Sequence, residues 1–162
     1  EGVRIRSLVR GQDDEHFVMT SEEAFADHWG YVHVPLAEAL AQWRTLMDTS
    51  PNFDPDLFLL AVADAAAENP IVGVCCGTAR PAEGPEQGWV HNLAVLQPWR
   101  RRGIAHALLI RCFQALYDRG HWKIGLGVDA DSLTGATRLY EKVGMQVERR
   151  HEFWELELRA GG

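Results

Sequence analysis

Val95-Leu96-Gln97-Pro98-Trp99-Arg100-Arg101-Arg102-Gly103-Ile104-Ala105 decides how the rest of the chain is read. It passes from the end of an apolar run, through a short Pro-containing loop, into an amphipathic helix. The first turn of a helix has unpaired backbone N–H groups and about half a positive charge, which makes it an anion site suited to a diphosphate. Gly103 lets the backbone approach a ligand, Ala105 keeps the first turn slim, and Ile104 begins the apolar face. Arg100, Arg101 and Arg102 add charge at the rim. The segment is not a Walker A loop, because no Gly-Lys-Ser/Thr follows, and it lacks the three spaced glycines of a dinucleotide fingerprint.

The flanking sequence supplies the elements. Trp89 to Leu96 reads as the strand leading in, closed by Pro98, and Gly103 to Arg119 as the helix leading out, with Ile104, Leu108, Leu109, Cys112, Phe113 and Leu116 at helical spacing and Gly120 behind it. Upstream, Val3 to Val9 reads as a strand, Asp13 to Trp29 as a helix, and the stretch from Pro35 to just before Ser50-Pro51 as a second helix. Phe58 to Ala63 and Ile71 to Ala79 form a hairpin. Downstream, Lys123 to Val128 reads as a strand and Gly135 to Val143 as a short helix. Met145 to Arg149 and Phe153 to Leu158 follow as strands. The order predicts a mixed sheet with helices on both faces, α/β or α+β in class.

The bulk properties narrow the function. The chain has 162 residues, 46% of them hydrophobic and 24% charged, which suits a single domain over 1–162. Beginning at Glu1 rather than Met, it is compatible with a whole domain or with one half of a longer two-domain protein. No apolar run approaches the ~20 residues of a membrane span, and no basic and apolar leader opens the chain. The three cysteines, Cys75, Cys76 and Cys112, are odd in number with two adjacent, so a disulfide framework is not expected and a reducing cytoplasm is. No Cys/His spacing suggests a metal. A net charge of −7 disfavours nucleic acid and anionic membranes and favours cationic partners such as amines.

The loop resembles the pyrophosphate motif of the GNAT superfamily of acyl-CoA-dependent N-acyltransferases, Gln/Arg-x-x-Gly-x-Gly/Ala, with Arg100, Gly103 and Ala105 in the fixed places. The resemblance extends upstream to Leu93-Ala94-Val95, which matches the family's Leu-Ala-Val strand. It extends downstream through Gly135-Ala136, Leu139-Tyr140 and Val143-Gly144-Met145, which match its closing motif. It implies the GNAT fold: a mixed, mostly antiparallel sheet, splayed in the middle and flanked by about four helices. It also implies acetyl-CoA as donor, an amine as acceptor and direct transfer between them, with a homodimer or a second GNAT domain as partner. By the same resemblance Leu93 and Val95 contact the donor through their main chain, Ser132 stands where many members place a CoA-contacting asparagine, and Tyr140 is the general acid. A phenol with an ordinary pKa near 10 suits that role, since it stays protonated at pH 7.

The base is open. Trp89 and Gly127 occupy the two places where family members carry a glutamate. His91 matches a histidine of the arylalkylamine N-acetyltransferases and shares the Leu93 face if no bulge intervenes. Packing against the core, or a water chain in place of any side chain, are the alternatives. Phe25, His28 and Trp29, with Glu22, Glu23 and Asp27 nearby, are the acceptor-side candidates, since aromatic faces and carboxylates hold cationic amines. Core packing explains the same aromatics. The missing glutamates leave a second reading, a degenerate domain that binds acyl-CoA without catalysis.

Overall fold

Alternation in the central hairpin sets the architecture. In a computed structural model, which describes residues 2–28, 30–64, 69–128, 135–152 and 154, strands β1 (Val3–Ser7), β2 (Phe58–Ala63), β3 (Ile71–Ala79), β4 (Gln87–Val95) and β5 (Lys123–Leu126) form one sheet in that order. The first three pairings are antiparallel and β4–β5 is parallel. On β2, Phe58, Leu60 and Val62 face one side and Leu59, Ala61 and Ala63 the other, all buried. A strand apolar on both faces must be covered on both.

Helices α1 (Asp14–Phe25) and α2 (Leu36–Thr49) cover the first face, burying Phe17, Val18, Ala24, Ala39 and Met47 against Val74, Cys76 and Ala94. Trp43 stacks on Phe17 at 4.2 Å between ring centroids. Helix α3 (Ile104–Tyr117) covers the second face with Leu108, Leu109, Cys112 and Leu116, all fully buried, against Leu59, Cys75, Val90 and Val95. Burying one such side chain contributes about 1.5–3 kcal/mol. Helix α4 (Ala136–Lys142) adds Leu139 and Tyr140 to this layer, with Val143 just beyond it.

Polar ties fix α1 to the sheet. Arg6 forms a two-bond pair with the buried Asp13 at 2.6 and 2.8 Å, and Asp13 also accepts from Val9 N–H. The Thr20 hydroxyl donates to Ile71 O at 2.7 Å and accepts from the Asn69 amide at 2.8 Å.

The hairpin strands end where the sequence places them. Four expectations need correction. Strand β1 ends at Ser7 and not at Val9, whose N–H donates to the Asp13 carboxylate and whose C=O accepts from Gln12 and Asp13 in a turn. Helix α1 stops at Phe25 instead of running to Trp29, because the chain turns through Ala26 and His28, whose N–H groups reach back only three residues to Glu23 O and Phe25 O. Strand β5 ends at Leu126 and not at Val128. Among the described residues, Met145 to Arg149 pair with no strand, and Val147 is exposed. Trp29 and most of Phe153 to Leu158 lie outside the described residues.

At the β4–β5 junction, the Trp89 indole lies over Gly125, where an added Cβ would sit 2.5 Å from the ring. Gly125→Ala is expected to destabilise by about 1–3 kcal/mol through overpacking. In a Trp89→Leu background most of that cost should vanish. Thermal denaturation of the four proteins checks this, and additive losses would contradict it.

Candidate active site

The loop before α3, the expected anion site, is shaped by backbone conformation. After β4, the Leu96 N–H donates to Val72 O at 2.9 Å, then a single 3-10 turn, Gln97–Trp99, swings the chain across the end of the sheet. Arg101 has φ 64°, a left-handed value that costs a non-glycine residue roughly 1–2 kcal/mol. Gly103 has φ 80° and stands at the N-cap of α3 with no side-chain cap. The first helical bond is Ala107 N–H to Gly103 O at 3.0 Å, so the N–H groups of Ile104, Ala105 and His106 have no partner within the helix. A Cβ on Gly103 would meet nothing within 4 Å. Glycine is therefore required here by φ, and the space before the backbone is open.

The three arginines differ. Arg102 lies over the Trp99 ring at 4.8 Å and is exposed. Arg101 is exposed and makes no ion pair among the described residues. The Arg100 side chain points back into the protein, to Val95 O, Ala24 O and Asp27. What Arg100 can offer an anion is its main chain and its charge at a distance.

Strand β4 opens on one side at its middle. Its pairing with β5 runs from Gln87–Lys123 to Val90–Leu126 and stops, while its pairing with β3 continues to Val95–Gly73. From His91 to Val95, the backbone groups directed away from β3 therefore have no β5 partner. Leu93 and Val95 pack toward α3 and Ala94 packs toward α1. Their side chains are engaged in the core, leaving main chain as the part available in the opening.

A bulge does intervene at His91. Cys76 pairs with Asn92 and Gly77 with Val90, so His91 is the extra residue. Val90 and Leu93 consequently face the same core although they lie three residues apart. His91 thus does not share the Leu93 face by simple alternation. It is exposed, and its pKa falls below the ordinary 6.5, first through partial desolvation and then through the Arg80 guanidinium. Arg80 stacks on the Trp89 indole at 3.7 Å. The imidazole is held neutral at neutral pH, the form a base requires.

Tyr140 is half-buried on α4 and packs into the α3-side layer, as does Leu93. Its hydroxyl has no hydrogen-bond partner among the described residues. Burial raises its pKa above 10, and Cys75, which pairs with Leu93 across the sheet, adds to the shift. Tyr140 therefore stays a proton donor at neutral pH. Ser132 lies outside the described residues.

Of the expected acceptor-side residues, the Phe25 ring meets His28 edge-on at 4.9 Å, and His28 is exposed. Two nearby carboxylates are already engaged. Glu22 accepts from the Tyr31 hydroxyl at 2.9 Å and Asp27 pairs with Arg100 at 2.7 Å. The sequence reading missed Arg80 and Asn92. Asn92 is half-buried opposite Cys76 on the α1 side, two residues before Ala94 and on the same face by alternation. Arg80 is set near Trp89 by the register of β3 against β4, in which its N–H donates to Gln87 O, and the sequence has no local signal for that. Among the described residues no group of three or more His, Cys, Asp or Glu could hold a metal ion.

This geometry agrees with the comparisons. The sequence profile of the acetyltransferase (GNAT) family matches residues 18–145, and the chain belongs to that family. It is 31% identical over 146 residues to a mycothiol acetyltransferase of Paenarthrobacter aurescens and 32% identical to one of Nocardiopsis dassonvillei, covering 89% of this chain and 42% of each relative. The chain thus spans less than half the length of these relatives. A GCN5-related N-acetyltransferase from Sphaerobacter thermophilus superposes with a TM-score of 0.72 at 36% identity, over 91% of this chain and 42% of that one. An aminoglycoside N-acetyltransferase crystallised with CoA shares the fold, with a TM-score of 0.71 at 16% identity over 96% of this chain and 95% of its own.

In an NMR titration the His91 ring should show a midpoint below 6.5, and Arg80→Ala should move it upward, since removing a nearby cation favours protonation. A midpoint at or above 6.5, or no movement in the variant, would contradict the assigned cause.

Proposed function

We propose that this chain is an N-acetyltransferase that carries the acetyl group of acetyl-CoA directly to a primary amine of a small molecule or peptide. One observation carries the reading: the opening beside β4 begins at His91, and the same strand ends, at Val95, in the turn that leads to the uncapped N-terminus of α3. A ligand with an anionic diphosphate and an extended amide-bearing arm fits that sequence of sites. Family membership points the same way.

In this reading the pyrophosphate lies on the N–H groups of Gly103, Ile104 and Ala105, with Arg101 and Arg102 at the rim and Ser132 as a further CoA contact. The pantetheine arm takes the open-side backbone groups of Leu93 and the N–H of Val95, on either side of Ala94, as a strand would. Main-chain donors near Leu93 polarise the thioester carbonyl. The amine, held near Phe25, His28 and Trp29, attacks that carbon. The C–S bond breaks, and the departing CoA thiolate takes the Tyr140 proton. The amine proton leaves to His91 or to water, and solvent restores Tyr140. The neutral imidazole and the protonated phenol support this assignment of roles. No metal enters the scheme.

The setting proposed is a reducing cytoplasm. Cys75, Cys76 and Cys112 are free and fully buried, with the Cys75 and Cys76 thiols pushed well above their ordinary range, so they serve as small apolar residues. No helix among the described residues is long and apolar enough to cross a membrane. The greater length of the relatives is consistent with a second GNAT domain in the same chain, and a homodimer is the alternative partner in this reading. Nucleic acid is no partner in this reading, since the net charge is −7.

An amine panel assayed by release of free CoA thiol tests the proposal. Tyr140→Phe should lower kcat by about 10²–10⁴-fold with donor affinity nearly unchanged. A turnover unaffected by the substitution would remove Tyr140 as the acid. Donor binding with no turnover of any amine by the unaltered protein would favour the degenerate domain.

A further inference from the structure

The Arg100 guanidinium joins parts of the site that no strand or helix connects. Its Nε–H donates to Val95 O at 2.9 Å, at the end of β4. Its Nη2–H donates to Ala24 O at 3.1 Å, in the last turn of α1, and reaches Asp27 Oδ1 at 3.4 Å. Its Nη1–H donates to Asp27 Oδ2 at 2.7 Å. Arg100 itself immediately precedes the left-handed Arg101 and the Gly103 cap. One planar cation thus fixes a strand end, the anion loop and the end of α1 at once. A guanidinium suits this because its donors form a rigid fork.

The pair is open to solvent, with side-chain exposures of 27% and 49%, so its contribution to global stability is small. Its consequence is positional. The hydrogen bond and charge of Arg100 hold the Asp27 carboxyl below its ordinary range, so the pair stays ionised throughout the neutral range. Beside Asp27, His28 Nε2 lies 4.0 Å from Oδ1 and the Phe25 ring packs on the imidazole. The groups that hang on this clamp are those of the acceptor side.

We infer that Arg100 and Asp27 form a positioning clamp through which occupancy of the loop at Gly103–Ala105 orders the acceptor wall at the end of α1. The inference rests on the donor-binding reading above. An anion seated on the first turn of α3 restricts the backbone from Arg100 onward. The guanidinium is then held in one orientation, and Ala24 and Asp27 are held with it. Such coupling is a free energy between two sites, and it is carried by order without a change of shape.

Amide hydrogen exchange with acetyl-CoA as the probe reads this directly. In the unaltered protein, acetyl-CoA should slow exchange at Ile104 to Ala107. It should also slow Ala26, His28 and Tyr31 by about fivefold or more, the lower end of ordinary coupling. In Asp27→Ala the slowing at Ile104 to Ala107 should remain and that at Ala26, His28 and Tyr31 should be lost. Asp27→Asn, which keeps the shape but not the charge, should lie between and guards against a folding defect in the alanine variant. Exchange is the chosen readout because removing Asp27 also frees a cation beside the loop and so alters donor affinity for a separate reason. Slowing at Ala26, His28 and Tyr31 that persists in Asp27→Ala, or that is absent in the unaltered protein while Ile104 to Ala107 respond, would overturn the clamp alone. No response at either place would overturn the donor-binding reading and the clamp with it.

Discussion

The candidate site depends on β4 having, among the described residues, two strand neighbours for its first half and one for its second. The strand is nine residues long, and β5 accompanies it only from Gln87 to Val90. A strand edge inside a protein leaves backbone donors and acceptors that need partners. On the open side of His91 to Val95 those groups stand between the layers of α1 and α3, where a ligand with peptide-like amides can act as the missing strand.

Around this opening the sequence builds stiff walls. Glycines at 77 and 88 allow close packing, since a Cβ on either would crowd Cys112 or Leu116 of α3. The helix therefore lies tight against β3 and β4, and its uncapped N-terminus is held in a fixed relation to the end of β4. Trp89, with Arg80 stacked on it, covers Gly125 where β5 begins to leave. A site placed on rigid elements can keep a reacting atom in register, which is the larger part of what catalysis between two bound substrates requires. Electrostatics adds direction. The chain carries a net charge of −7, yet Arg101 and Arg102 stand exposed at the turn that leads into α3.

Local chemistry was legible in the sequence and long-range chemistry was not. The hairpin limits, the α3 face and the Gly103 turn could be read because each is fixed by residues within a few positions of one another. The His91 bulge could not, since it arises from the register of β4 against β3, and the sequence shows the alternation only as broken. It breaks the alternation that would put His91 with Leu93 and brings Val90 to the Leu93 side. The fate of Arg100 was hidden for the same reason. It reads as a phosphate-facing cation beside Arg101 and Arg102, but its partner Asp27 lies 73 residues away. The expected strand from Met145 to Arg149 finds no pairing partner among the described residues.

The most direct test of this account is a calorimetric titration with acetyl-CoA and free CoA, repeated with the same pantetheine thioester lacking the nucleotide diphosphate. The account predicts saturable binding of one donor per chain, with the truncated thioester much weaker because it leaves the N-terminus of α3 empty. Equal affinity for the truncated ligand, or no binding of acetyl-CoA at millimolar concentration, would contradict it.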